Sequence, residues 1–338
     1  MGRRIATVFG GSGFLGRHIV KRLASQGYTV RIAVRDVEAA MHLKPNGNPG
    51  QIILQACNVR NPEMVANSVQ GADVVINLVG LLSQWGKQTF DAVHVDGAGN
   101  IAKACSDAGV ANLIHVSAIG ADENAEAQYA RTKAAGEKAI LAAYPNATIL
   151  RPSVVFGPGD GFFNKFASIM RFTPALPVIG APMFPKVSFE NGELDINLYG
   201  DGGAKLQPVY VGDVAQAAIN AIDNADAKGK TYELGGPEVM TFMGIMKRIL
   251  KHTGRKRYLA PVSYPFAKIL GGIIGFLPKP LLTGDQVTML ETDNVVSEGA
   301  LTLKDLGVEP TLADAILPTY LFRFKELKNQ PRHVERRV

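Results

Sequence analysis

IATVFGGSGFLG, residues 5 to 16, decides the fold. Ile5, Val8 and Phe9 read as a short buried strand. Gly10, Gly13 and Gly16 follow at three-residue spacing, and a helical pattern then runs from Phe14 to about Ala24. A glycine turn between a strand and a helix lets backbone N–H groups approach a phosphate. The positive end of the helix dipole then faces the anion. Gly10, Ser12, Gly13, Phe14, Leu15 and Gly16 are therefore the candidate contacts for the phosphates of a dinucleotide. Gly13 is expected to serve both phosphate approach and strand–helix packing.

Outward from this turn, strands and helices alternate. Thr29 to Val34, TVRIAV, reads as the second strand by its β-branched content. Arg35 and Asp36 follow at its end. An acidic residue at this tip bonds a ribose 2′-hydroxyl, whereas an arginine pairs with a 2′-phosphate. Arg35 therefore favours NADPH over NADH, and Asp36, one residue on, leaves the second open. Gln51 to Gln55 reads as a third strand. Ala72 to Leu78, ADVVINL, is an almost wholly apolar fourth, as expected for a parallel strand covered on both faces. Phe90 to Ala108 reads as a long helix, Asn112 to Val116 as the fifth strand and Ala147 to Arg151 as the sixth. Ser117 stands at the carboxyl end of the fifth, where open α/β sheets place ligands. Tyr129 follows twelve residues later, and Lys133 comes at i+4, so those two share one helix face. The pattern predicts an α/β fold: a Rossmann-type doubly wound parallel sheet with a smaller, mostly helical C-terminal region. The sheet domain is read at 1–176 and 204–236, a hairpin insertion at 177–203, and a partner- or membrane-docking region at 237–338.

The composition suits this reading. The chain has 338 residues, 46% hydrophobic and 20% charged, enough for a sizeable core. Cys57 and Cys105 give neither a disulfide framework nor metal-ligand spacing, so no metal is expected. Met1 to Arg4 runs straight into the first strand, so neither a signal peptide nor a transit peptide is expected. The net charge of +6 is concentrated late in the chain.

That late part is unusual. Val187 to Leu198 alternates apolar and polar residues around Asn191-Gly192, a hairpin signal that suits a lid or a contact element. Thr241 can cap a helix from Phe242 to His252. Lys247, Arg248, Lys251, Arg255, Lys256 and Arg257 put six cations within eleven positions without an acid. Leu259 to Leu282 then contains no acid, only Lys268 and Lys279 as charges, and four prolines around a helix of little more than ten residues. Spanning a bilayer takes about 20 apolar residues. This segment is therefore a buried core helix or lies on a membrane or membrane protein. The tail from Phe322 is basic again. No nucleic-acid module accompanies the basic runs, so nucleic acid is not an expected partner.

The glycine spacing, Ser117, the YARTK run and RPSVVFGPGD resemble the extended short-chain dehydrogenase/reductase family over about residues 1 to 255. In that family the lysine lowers the tyrosine pKa and holds the nicotinamide ribose. The tyrosine acts as acid or base and the serine bonds the substrate carbonyl. The resemblance thus gives Ser117, Tyr129 and Lys133 as the catalytic triad positions. It also places Asn58, with Val59, at the adenine, Leu78, Val79 and Gly80 beneath the cofactor, and Pro152 and Val154 at the nicotinamide end. DAVHVDGAGN resembles the family's N-V-x-G-T-x-N helix, with His94 for the usual Asn and Ala98 for Thr. His94 reads as a packed or surface residue rather than a catalyst. Pro208 to Val214 resembles the family's return to the sheet, and Thr231 to Pro237 its last strand.

MHLKPNG at Met41 to Gly47, with VVINLVG, AGVANLIHVSA and QPVYVGDVAQA, resembles one atypical branch: the nucleotide-binding accessory subunits of respiratory complex I. That branch implies a tightly bound structural NADPH. It implies other complex I subunits near the quinone site, and the membrane surface, as partners. It implies a peripheral position on the cytoplasmic face of a bacterial inner membrane, or on the mitochondrial matrix face in a processed form. The competing reading is a free NAD(P)-dependent reductase, epimerase or dehydratase, which Ser117, Tyr129 and Lys133 favour. The late basic and apolar segments favour the accessory subunit.

Overall fold

The computed structural model describes residues 4–190, 193–275, 277 and 280–326. Six parallel strands run in chain order: β1 (Ile5–Phe9), β2 (Thr29–Val34), β3 (Ile52–Ala56), β4 (Val74–Asn77), β5 (Asn112–Val116) and β6 (Thr148–Pro152). A seventh, Thr231–Leu234, pairs with β6 at the edge, giving the spatial order 3-2-1-4-5-6 and then this last strand. The order reverses at β1, between β2 and β4, so a crevice opens at their carboxyl ends. Phe9 sits opposite both Ala33 and Asn77, so the three strands end at one level.

Helices cover both faces. They are α1 (Phe14–Ser25), α2 (Pro62–Val69), α3 (Gly97–Asp107), α4 (Gln128–Ala143), α5 (Phe163–Ile169) and α6 (Val211–Asn220). One core joins α1 and α6 to the sheet through Ile19, Leu23, Ile32, Ile76 and Val214. The other joins α2, α3 and α4 through Val65, Val75, Ile101, Leu113 and Ile140. Local sequence starts some helices cleanly: Asn61 accepts from the Met64 N–H, and Pro62 stands where no amide is needed.

Two expectations change. The helix expected over 90–108 forms, but its first part, Asp91–Asp96, is a π turn that runs into α3. The reason lies in α4: a Cβ at Gly136 would come within 2.1 Å of the His94 carbonyl, so only glycine lets the bulged turn seat there. Pro208–Val214 does not return to the main sheet. Val209–Tyr210 pairs with Val155–Phe156 in a separate two-residue ladder, and α6 begins at Val211.

The remaining chain builds a second core of Phe156, Phe163, Phe242, Ile245, Leu317 and Leu321. It holds α5, α7 (Phe242–Thr253), α8 (Tyr264–Ile274), α9 (Gly284–Met289), α10 (Ala313–Leu321) and a parallel pair, Ala175–Ile179 with Tyr258–Val262. Met170 and Leu176 belong to this core, so Phe156, Phe163, Met170 and Leu176 already pack away from the sheet. Thr241 caps α7 by accepting from the Gly244 N–H, and Gly254, at φ +62°, ends it. The hairpin forms as Lys186–Glu190 against Glu193–Asn197; its Asn191-Gly192 turn lies outside the described residues.

The late segments divide sharply. Most of the cationic run is consumed by the protein: Arg248, Lys251 and His252 surround Asp314, Arg248 also binds Glu238, and Arg255 and Arg257 donate to the carbonyls of Phe324 and Met170. The apolar helix α8 is not a core helix. Only Ala267 and Gly271 are buried, while Phe266, Ile269 and Ile273 stand 60%, 64% and 68% exposed. Lys279 and the tail residues 327–338 lie outside the described residues.

Candidate nucleotide site

The glycine turn closes on itself: the Gly13 N–H donates to the Gly10 carbonyl at 3.0 Å. Gly10 takes φ +76°, and a Cβ there would meet the Leu78 backbone at 3.2 Å. A Cβ on Gly16 would lie 2.5 Å from the Gly10 carbonyl oxygen, and one on Gly11 would lie 2.7 Å from Ile32. Gly11 and Gly16 therefore set α1 down on the sheet. Gly13 is exposed, and a Cβ on it would meet only the Gly10 oxygen, at 3.2 Å. It borders open space in front of the helix N-terminus, together with exposed Ser12 and half-buried Phe14 and Leu15. The first N–H groups of a helix lack intrahelical partners, and here they face the crevice. Gly11's packing role was not legible as distinct from Gly13's, because spacing alone does not say which glycine touches Ile32.

At one flank of the crevice, Arg35 is exposed at the end of β2. Asp36 is drawn into the following turn, its Oδ1 accepting from the Ala39 N–H at 3.0 Å. Asn58 follows β3, and its Oδ1 accepts from the Arg60 N–H and Nε–H. Its amide nitrogen is the end left for a ligand. Asn100, on α3, holds this loop by donating to the Val59 carbonyl. Beneath the crevice, Leu78 donates to the Phe9 carbonyl and Val79 to Asn77 Oδ1, with Gly80 next in line. Asn77 Nδ2 donates to His115, which burial and Lys133 hold well below the usual histidine range and hence neutral.

At the other end, Ser117 follows the end of β5, and Tyr129 and Lys133 lie on α4, Lys133 reaching back to β5. Lys133 Nζ donates to the Val116 carbonyl at 3.0 Å and lies under Gly80, where a Cβ would approach it to 3.8 Å. Burial lowers its pKa to about 8, against the opposing pull of Glu137. Burial pushes the Tyr129 phenol up to about 12, so it is protonated at neutral pH, opposite in direction to the lowering by lysine that the resemblance implies. Ser117 Oγ is buried and bonds to no other described group. A buried hydroxyl left without a partner fits one supplied by a ligand. Pro152 is buried in β6 with its carbonyl accepting from Ile119, and half-buried Val154 follows.

His94 plays a larger part than its sequence position suggests. Its Nε2 accepts from the Leu81 N–H at 2.9 Å, and its Nδ1–H donates to Thr132 Oγ1 at 3.0 Å, whose own hydroxyl donates to the Tyr129 carbonyl. The ring stacks on Phe90 and meets Tyr129 edge-on. Burial, then Lys133, lowers its pKa to about 3, so it stays in this one neutral form. The histidine thus supplies the polar support expected of the family's asparagine. Asp285 was also missed: its two oxygens accept from the Gln128 and Tyr129 N–H groups, and no sequence signal links residues so far apart.

Residues 6–235 match the model of the NAD dependent epimerase/dehydratase family. The chain belongs to that family. Two relatives cover nearly all of this family member. The mitochondrial "NADH-ubiquinone oxidoreductase 40 kDa subunit" of Neurospora crassa is 35% identical over 92% of this chain and 76% of its own length. In Rattus norvegicus, "NADH dehydrogenase (ubiquinone) 1 alpha subcomplex subunit 9, mitochondrial" is 35% identical over 91% and 77%. The fold matches the UDP-glucose 4-epimerase of Thermus thermophilus, solved with NAD, with a TM-score of 0.66, 23% identity, and coverage of 95% of this chain and 98% of that one. The epimerase/dehydratase architecture therefore extends beyond residue 235 into the second core. No helix among the described residues is long and apolar enough to cross a membrane.

Proposed function

We propose that this protein is a nucleotide-binding accessory subunit of a respiratory NADH:ubiquinone oxidoreductase, with NADPH as a fixed part of its structure. The observation that carries the reading is joint: relatives named as subunits of NADH-ubiquinone oxidoreductase or NADH dehydrogenase match nine tenths of the chain, and α8 presents an apolar face that no described residue covers. The glycine turn would hold the pyrophosphate, Arg35 the 2′-phosphate and Asn58 the adenine. Lys133 and Tyr129 would hold the nicotinamide ribose. Asp36, bonded within its own turn, is less available for a ribose hydroxyl, which supports NADPH over NADH. When bound, the nicotinamide supplies hydride chemistry. The chain's own residues orient and enclose it: His94 and Asn77 fix the loop 78–81, and the protonated phenol stands beside it.

The α8 face is the proposed contact with the membrane surface and with subunits near the quinone site, on the matrix or cytoplasmic side. With most of the cationic run engaged internally, burial of Phe266, Ile269 and Ile273 carries this contact, at about 1–2 kcal/mol each. Salt does not weaken that contribution.

Denaturing the purified protein and identifying the released nucleotide tests the cofactor. NADPH in near-stoichiometric amount is expected; only NAD(H) would overturn it. Tyr129→Phe separates the two roles. Respiratory electron transfer should persist, with weakened nucleotide retention. Selective loss of a carbonyl-reducing or epimerising activity, with the nucleotide still bound, would establish a free enzyme instead.

A further inference from the structure

Helix α4 carries Tyr129 in its first turn, so the seat of its N-terminus sets the position of the phenol. The preceding residue, Ala127, has no side chain able to cap it. Asp285 does so from the second core: Oδ1 accepts from the Gln128 N–H at 2.6 Å and Oδ2 from the Tyr129 N–H at 3.0 Å. Its neighbour Gln286 reaches the other wall, donating to the Leu82 carbonyl at 3.1 Å. Leu81, next to that carbonyl, is the residue His94 holds. Behind Asp285, the start of α9 rests on α8. A Cβ at Gly271 would lie 2.8 Å from the Thr283 carbonyl carbon and 2.9 Å from the Gly284 nitrogen. Lys268 pairs with Glu291 at 2.7 Å, and Tyr264 donates to the Leu290 carbonyl, fastening the far end of α9 to the same helix. The opposite side of α8 is its exposed apolar face.

We infer that Asp285 is a positioning residue for the nucleotide site, and that α8 and α9 form a strut joining the exposed apolar face to that site. The inference rests on the reading that Tyr129 and Lys133 face the nicotinamide ribose. A shift of α8 moves Asp285 and, through two hydrogen bonds, the helix that carries both residues. By linkage, anything that seats α8 more firmly tightens NADPH, and NADPH tightens the seating by the same factor.

The test is NADPH binding to the full-length chain, followed by fluorescence titration and by the release rate. Asp285→Ala is expected to weaken binding about fivefold, within the roughly two- to thirtyfold that loss of a helix cap spans. Asp285→Asn, which keeps one acceptor, should recover part of the loss. Two alanines on α8 supply the decisive contrast. Gly271→Ala forces the α9 start to move and should weaken NADPH in the same direction. Gly272→Ala, whose Cβ meets nothing within 4 Å, should bind as the parent does. A purely structural role would lower the unfolding temperature of Asp285→Asn without changing the release rate. The inference is overturned if folded Asp285→Ala or Asp285→Asn holds NADPH as tightly as the parent, or if the two α8 alanines behave alike. A parent chain that binds no NADPH would overturn the site reading itself, and with it this inference.

Discussion

At the scale of single residues, the glycine turn separates two roles that its spacing merges. Gly13→Val should abolish nucleotide binding while the chain stays folded, because its side chain would enter open space before α1. Gly16→Val should unfold the chain, because its Cβ would sit 2.5 Å from a backbone oxygen. Circular dichroism with a nucleotide titration distinguishes them; a Gly13→Val protein that keeps its nucleotide would misplace the phosphates. Arg35→Ala should weaken NADPH by about 1.5–3 kcal/mol and leave NADH affinity nearly unchanged. Equal losses for both would remove the 2′-phosphate assignment. His94 gives a pH signature. Its folded pKa of about 3 lies below the ordinary 6.5, so the unfolded chain takes up the proton first. Stability therefore falls as pH drops from about 6.5 toward 3, by about 2.5 kcal/mol at pH 4.5 from this residue. His18, lowered to about 4 by burial and its cationic neighbours, acts in the same direction. His94→Asn should flatten part of this acid loss in denaturant titrations; an unchanged slope would show that the imidazole does not control it.

At the scale of elements, the strands were legible because each is a short, mostly apolar run: β1, β2 and β5 keep their expected bounds, and β3, β4 and β6 shift by only one or two residues. The π turn was not legible. It depends on Gly136 of another helix, and DAVHVD has the same local pattern in either geometry. The basic run changes character for a related reason: Asp314 and Glu238 pair with Arg248 and Lys251 from outside the window in which it is read. Helix α8 was left open between core and surface, since an apolar composition suits both; only packing shows Ile269 and Ile273 outward. Asp at both positions should leave the fold intact and release the protein from native membranes, and the released protein should hold NADPH as tightly as the parent does when freed from its partners. High salt alone should not release the parent. Variants that remain attached would move the docking contact elsewhere, for example to exposed Met183 and Phe184 beside the hairpin.

At the scale of the whole molecule, the doubly wound sheet, with Ser117 at the carboxyl end of β5 and Tyr129 and Lys133 on the helix that follows, agrees with the alternation of strands and helices read from the sequence. The tie between the two cores does not, because it is made by Asp285 and Gln286 across more than 150 residues. That tie makes the chain suited to a part held in a larger assembly, its docking face and its nucleotide site mechanically joined. The central claim is membership of that assembly. Native mass measurement of the intact complex, extracted gently from native membranes, tests it most directly. The 36.1 kDa chain is expected to travel with NADH:ubiquinone oxidoreductase in a fixed ratio and to retain NADPH. A chain found wholly free, or bound only to itself, would contradict it.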